Sequence, residues 1–171
     1  MARRPVTVVG GLFLGLVAIV VVFVLGMRAK SPRLLGAVRR VNRAVFNPRE
    51  MMSAGTPGAN ASVIRHTGRT SGRPYETPVG AVPTDDGFVI ALPYGLQADW
   101  VKNVLASGTA TIVNEGQTYQ VDQPEIIAVD TAAESFSAGD RRNFRLFGID
   151  QCLRVRRVEP GHAAEQLTDS K

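Results

Sequence analysis

Hydrophobic and polar positions follow three rhythms along this chain. From Val6 to Met27 the run VTVVGGLFLGLVAIVVVFVLGM carries no charge over 22 residues. At about 1.5 Å per residue such a helix reaches about 33 Å, enough for a hydrocarbon core of about 30 Å. A cleaved signal peptide competes with this reading, but its apolar region is usually about 7–15 residues and ends at a small-residue cleavage site. Here the run is longer and is followed by MRAKSPR. A buried helix is the third alternative. The pattern predicts a single membrane anchor within residues 1–30. Leu34 to Phe46 (LLGAVRRVNRAVF) then sets Leu34, Leu35, Val38, Val41, Val45 and Phe46 near one helical face with arginines opposite. That basic amphipathic helix suits an anionic leaflet and suits docking on its own domain equally well. With the Gly/Pro-rich MMSAGTPGANAS behind it, residues 31–60 read as helix and linker.

From Ser62 the period shortens to that of strands. Ser62–His66 predicts a first strand, Gly68–Gly72 a turn, and Pro74–Val82 a second strand. Thr84-Asp85-Asp86-Gly87 is a hairpin turn, with Phe88–Leu92 as third strand. Ala98–Ala106 predicts a short helix ending at Gly108. Thr109–Asn114 and Gln117–Val121 alternate around Glu115-Gly116, and Glu125–Val129 extends or follows the second of them. Thr131–Phe147 reads as helix broken near Gly139, and Cys152–Val158 as a last strand. The order β-β-β-α-β-β-α-β predicts a mainly-β α+β fold, a small antiparallel barrel or roll over residues 61–160, with a polar tail at 161–171.

Charge divides the chain. Nine basic and no acidic side chains precede Glu50, whereas residues 50–171 hold eleven basic and 15 acidic ones, a net −4 inside a protein of +5. A nucleic-acid-binding domain needs a basic folded face, so no nucleic-acid partner is expected. Arg3 and Arg4 precede the apolar run, while Arg28, Lys30, Arg33, Arg39, Arg40 and Arg43 follow it. The positive-inside bias therefore predicts a single-pass membrane protein with its domain in the cytoplasm. The single cysteine, Cys152, permits no internal disulfide and agrees with that compartment.

For chemistry, no G-x-G-x-x-G or Walker pattern, Ser/His/Asp arrangement, metal-ligand cluster or catalytic carboxylate pair is visible. The conspicuous segment is RHTGRTSGRP, Arg65 to Pro74. Arginines at spacings of four bracket two glycines and three hydroxyls. Guanidinium forks, hydroxyls and close-approaching backbone N–H groups match a phosphate or carboxylate. A polar hairpin with solvated arginines is the alternative reading.

The blocks TGRTSGRPYETPV, FVIALPYG and ADWVKNVLASGTATI, in that order, resemble the deazaflavin-dependent nitroreductase family, actinobacterial split-barrel oxidoreductases that use coenzyme F420. The resemblance covers Ser62 to Val129 well and the rest loosely. It implies that Arg69, Thr70, Ser71 and Gly72 hold the coenzyme's phosphate and acidic tail, although many members have lysine where Thr70 stands. Tyr75, Glu76, Thr77, Pro78, Val79 and Gly80 would run beside the coenzyme, with Pro78 and Val79 against its rings. Ala91, Leu92, Pro93 and Tyr94 would give the ring backbone contacts, and Asp99, Trp100, Val101, Lys102 and Asn103 would complete the site. Family members place aromatic residues over the substrate, and Phe144 and Phe147 are the candidates here.

The implied reaction is hydride transfer from reduced F420 to an electron-poor acceptor, a quinone or nitroaromatic, by a monomer or homodimer; the cofactor carries such chemistry, so no catalytic side chain is expected. A non-catalytic F420-binding or carrier protein and an FMN-using relative are the alternatives. Outside these blocks, His66 reads as structural or as a phosphate partner, Cys152 as a buried small hydrophobe, and Arg141, Arg142 and Arg145 as a solvated face or as a lid over the acidic tail.

Overall fold

The computed structural model describes residues 20–42, 44 and 47–158. Residues 20–28 are helical; α1 (Pro32–Val41) and the short α2 (Asn47–Glu50) follow. The domain then runs β1 (Ser62–Thr67), β2 (Pro74–Val79), β3 (Ala81–Pro83), β4 (Gly87–Ala91), a 3-10 turn at Gly95–Gln97, α3 (Asp99–Ser107), β5 (Thr109–Asn114), β6 (Gln117–Ala128), a 3-10 stretch at Val129–Ser135, α4 (Ala138–Phe147) and β7 (Gln151–Arg157).

All seven strands form one antiparallel sheet in the order β2-β1-β5-β6-β7-β4-β3. The edge strands β2 and β3 are separated in sequence by Gly80 alone. Laid flat, their six inter-strand steps would span roughly 29 Å, whereas two successive Cα–Cα steps reach at most about 7.6 Å. The sheet must therefore curl until its edges meet at Gly80, giving a barrel open along the β2–β3 seam. This is the mostly-sheet α+β architecture that the strand pattern predicts, with one correction: the expected strand Pro74–Val82 is two strands, broken at Gly80.

Curling turns one face of every long strand into a common core. Ile64, Phe88, Ile90, Ile112, Val121, Leu153 and Val155 meet there, and α3 adds Val101 and Val104. Helix α3 stops where expected, its Gly108 in the left-handed conformation with N–H donating to the Val104 carbonyl. The opposite face of β4 and β7 packs Val89 and Cys152 against Val129, Phe136 and Phe144. Burial pushes the Cys152 thiol up to about 11, with Arg154 opposing weakly; it is the inert buried hydrophobe expected. The segments Gln117–Val121 and Glu125–Val129 are a single strand, β6, with a bulge between Asp122 and Glu125. The predicted helix Thr131–Phe147 breaks at Phe136–Ser137 and not near Gly139. Ser137 Oγ accepts from the Asp140 N–H while the Asp140 carboxylate accepts from the Ser137 N–H, a reciprocal cap that fixes the start of α4.

The N-terminal segment is pinned to this domain. Lys30 pairs with Asp150 at 2.8 Å, Arg28 donates to the carbonyls of Arg145 and Leu146, Met27 is buried, and Phe23 meets Phe147 edge-on with centroids 6.4 Å apart. Val20, Val21, Val22 and Leu25 are exposed. Among the described residues no helix is long and apolar enough to cross a membrane; most of the run Val6–Met27, like the tail at 161–171, lies outside them.

Gly87 of β4 lies opposite Arg156 of β7. A Cβ there would land on the Val155 carbonyl oxygen and lie 2.8 Å from Arg156 Cα, both backbone. Gly87→Ala is expected to cost about 3 kcal/mol through forced strand displacement, read as a lower urea midpoint at unchanged m-value.

Candidate functional site

A cavity of about 970 Å³ opens beside the β1–β2 edge. On one side it is lined by the β1–β2 loop (Gly68, Arg69, Thr70, Ser71), by Tyr75, Glu76, Thr77 and Pro78 of β2, and by Asp99, Trp100, Lys102 and Asn103 at the start of α3. The other side is the N-terminal segment: Gly36, Arg39 and Arg40 of α1, Asn42, then Asn47, Pro48 and Met51, with Tyr94 and Gln97 between the two.

The loop owes its shape to close packing. Gly68 N–H donates to the Arg73 carbonyl and Gly72 N–H to the Gly68 carbonyl, both at 2.8 Å. A Cβ on Gly68 would lie 2.7 Å from the Tyr75 ring, so glycine lets the loop fold against β2. Tyr75 in turn stacks on His66, its cross-strand partner, at 5.9 Å between centroids.

A chain of hydrogen bonds ties this loop to α3. Asn103 Oδ1 accepts from the Arg69 backbone N–H at 3.2 Å and from Arg69 Nη1 at 2.9 Å. With the oxygen so assigned, Asn103 Nδ2 is the donor to His66 Nδ1 at 3.1 Å. His66 Nδ1 is then the acceptor, its proton is on Nε2, and Nε2–H donates to Thr77 Oγ1 at 3.2 Å. His66 and Asn103 are only 8% and 5% exposed. Burial lowers the His66 pKa from its ordinary value, with the Asp99 charge opposing, which agrees with a neutral ring. Asp99 also takes Arg69 Nη2 at 3.5 Å. Burial raises the Tyr94 pKa, reinforced by Glu50.

The cations around the cavity are unevenly matched. Arg69 has Asp99, and Glu76 is taken by Arg65 at 2.8 Å. Arg39 donates to the Gln97 carbonyl and Lys102 to Gln97 Oε1 at 2.9 Å. Among the described residues no carboxylate pairs with Arg39, Arg40 or Lys102. Cations gathered round a cavity without counter-charges make a receptor for an anion, and Tyr75, Tyr94 and Trp100 supply flat surfaces for a planar ligand.

Of the residues expected from sequence, Arg69, Thr70, Ser71, Tyr75, Glu76, Thr77, Pro78, Tyr94, Asp99, Trp100, Lys102 and Asn103 meet at this cavity. Val79, Leu92 and Val101 instead point into the barrel core. Ala91 packs on the opposite face of the sheet, and Gly72, Gly80 and Pro93 are not among the lining residues. The largest correction concerns Phe144 and Phe147. Phe144 packs at 4.9 Å on Phe136 in the outer cluster and Phe147 meets Phe23, so neither reaches the cavity. Nor does α4 serve as a lid: Arg141 donates to the Ala133 and Phe136 carbonyls. Arg39, Arg40, Asn47 and Met51 were not anticipated, because arginines on an amphipathic helix look alike whether they face lipid headgroups or a cavity.

No protein-family model matches the chain, and no curated protein matches it. Among solved structures, it is similar to an F420-H2 dependent reductase (FDR-A), with 14% identity over 55% of this chain and 92% of that one, TM-score 0.42. It is also similar to HutZ, a heme storage protein from Vibrio cholerae (12% identity, 58% and 82% covered, TM-score 0.42). A third likeness is to a domain-swapped dimer (12% identity, 74% and 100% covered, TM-score 0.46). Likenesses of this size carry no argument about function.

The His66 network makes a pH prediction. The unfolded histidine takes up a proton near pH 6.5 and the folded one resists it, so the folded state loses stability as pH falls below that value. Asn103→Asp replaces the donor facing Nδ1 with an acceptor. It is expected to raise the His66 pKa above the wild-type value, seen in the NMR titration of its ring protons, and to flatten the acid-side fall in Tm. An unchanged ring titration would overturn the proton assignment.

Proposed function

We propose that the protein is a coenzyme F420-dependent oxidoreductase, tethered to a membrane, that reduces an electron-poor, lipophilic acceptor such as a quinone or nitroaromatic. One observation carries this reading. The segments that resemble the deazaflavin-dependent nitroreductases, from Arg69–Ser71 through Tyr75–Pro78 to Asp99–Asn103, converge on one cavity although about thirty positions separate the first from the last.

The residues fit such a coenzyme. The cavity has the volume of a cofactor site, cations without carboxylate partners for phosphate and acidic tail, and aromatic walls for a flat ring. Reduced F420, when bound, supplies the hydride. The chain's part is to bind, orient and exclude water. Arg69, braced by Asn103 and Asp99, presents a fixed guanidinium. Tyr75, Tyr94 and Trp100 offer stacking faces, and His66, neutral and fully hydrogen-bonded, stiffens the wall.

The tether rests on the uncharged run Val6–Met27 and the basic residues after it. Holding the domain at a bilayer raises the effective concentration of an acceptor dissolved there. The positive-inside bias places the domain on the cytoplasmic side.

The test is a fluorescence titration of the full chain in detergent with F420, followed by oxidation of reduced F420 by a menaquinone analogue and by nitroaromatics. Saturable binding and acceptor-dependent oxidation are expected. Binding without turnover of any acceptor would leave a carrier, and preference for FMN would point to a flavin enzyme. Arg69→Ala removes a charged hydrogen-bond donor worth about 1.5–3 kcal/mol, so F420 affinity is expected to fall about 10- to 100-fold.

A further inference from the structure

Helix α1 covers the cavity yet is held there by little. Leu35 is its one buried residue among those described, and Val41 is exposed. At its start the chain is pinned by Lys30 to Asp150 and by Leu34 against Gly26, whose position a Cβ could not share with the leucine side chain. At its far end Arg39 donates to the Gln97 carbonyl. An element with few buried apolar contacts sits at the low end of local stability.

What α1 brings to the cavity is charge. Arg39 and Arg40 line it together with Lys102. Arg39 and Lys102 both hydrogen-bond to Gln97, one to its main chain and one to its side chain. Gln97 thus draws two like charges together through neutral oxygens, with no carboxylate between them among the described residues. Such an arrangement is unfavourable until an anion enters, and favourable afterwards.

From this we infer that Arg39 and Arg40 form, with Lys102, a second anion subsite in the cavity, separate from the loop around Arg69. A ligand's acidic extension binds there and clamps α1 onto the barrel. The inference rests on the reading of the cavity as a deazaflavin site and deepens it: the ligand carries a ring for the aromatic wall, one anion for the Arg69 loop, and further negative charge for the α1 side. The helix between tether and domain is then half of the binding site, and ligand binding orders it.

The experiment uses the full chain in detergent and two probes, F420 and the same deazaflavin chromophore stripped of phosphate and acidic tail. The double variant Arg39→Gln/Arg40→Gln is expected to lose about tenfold or more in F420 affinity, with a shallower salt dependence, and to bind the stripped chromophore as wild type does. Arg39→Lys/Arg40→Lys is expected to retain most of the F420 affinity. Because α1 buries so little, thermal unfolding of both variants should match wild type. In wild type, F420 is expected to slow trypsin cleavage after Arg39 and Arg40, and the stripped chromophore is not. Unchanged F420 affinity in the glutamine variant overturns the subsite while leaving the coenzyme reading intact. Equal losses for both probes also overturn it, making α1 a wall of general shape. Failure of the wild type to bind either probe rejects the coenzyme reading itself.

Discussion

Val79 and Ala81 lie one residue apart and belong to strands at opposite edges of a seven-stranded sheet. That link at Gly80 governs the architecture of the domain. It forces the sheet to curl, and curling sends alternate residues of β4, β5 and β7 into a shared interior that α3 fills with Val101 and Val104. It also leaves β2 as an edge strand, with one neighbour, β1. An edge strand with its loop folded beside it and a helix start nearby is a natural rim for a cavity, and the cavity is found there.

Within that rim Asn103 joins the fold to the chemistry. Its oxygen takes two N–H groups of Arg69, and one N–H of its amide nitrogen serves His66. The resemblance implied that Asn103 contacts a coenzyme. Asn103 lines the cavity, and its hydrogen bonds also hold Arg69 in place and His66 in one protonation state. A buried polar chain of this kind is costly when broken, since each member loses a partner that water cannot replace.

Local rhythm made the strands legible. The apolar run Phe88–Leu92, the alternation in Thr109–Asn114, the Asp86-Gly87 and Glu115-Gly116 turns and the Gly108 stop all stand where short-range chemistry puts them. The split at Gly80 was not legible, because the apolar character of Val79, Ala81 and Val82 continues across it and closure of the whole sheet decides the matter. The start of α4 was written in Ser137 and Asp140, but Gly139 drew attention to the wrong position. Of the site, the Arg69 loop was visible as a run of arginines, glycines and hydroxyls. The partnership of His66 with Asn103, 37 positions away, depends on tertiary packing alone. Phe144 was misplaced for a similar reason: its location is set by which face of the sheet α4 covers, and that face lies opposite the cavity.

Charge accounting connects the N-terminal segment to the site. Residues 50–171 carry a net −4, a poor starting point for attracting a ligand with several negative charges. Within the domain the cavity holds Arg69 and Lys102 against Asp99 and Glu76, which comes to no net charge. The excess of positive charge at the cavity is supplied by Arg39 and Arg40, from the part of the chain that has nine basic residues and no acidic one before Glu50. The basic segment following the apolar run, on the proposed reading, orients the chain in a membrane. On the proposed reading it has a second use, because two of its arginines turn an electrically neutral cavity into an attractive one. On that same reading the two arginines cannot be committed to anionic headgroups and to a ligand in the cavity at once, and the position of α1 would couple a bilayer to the site.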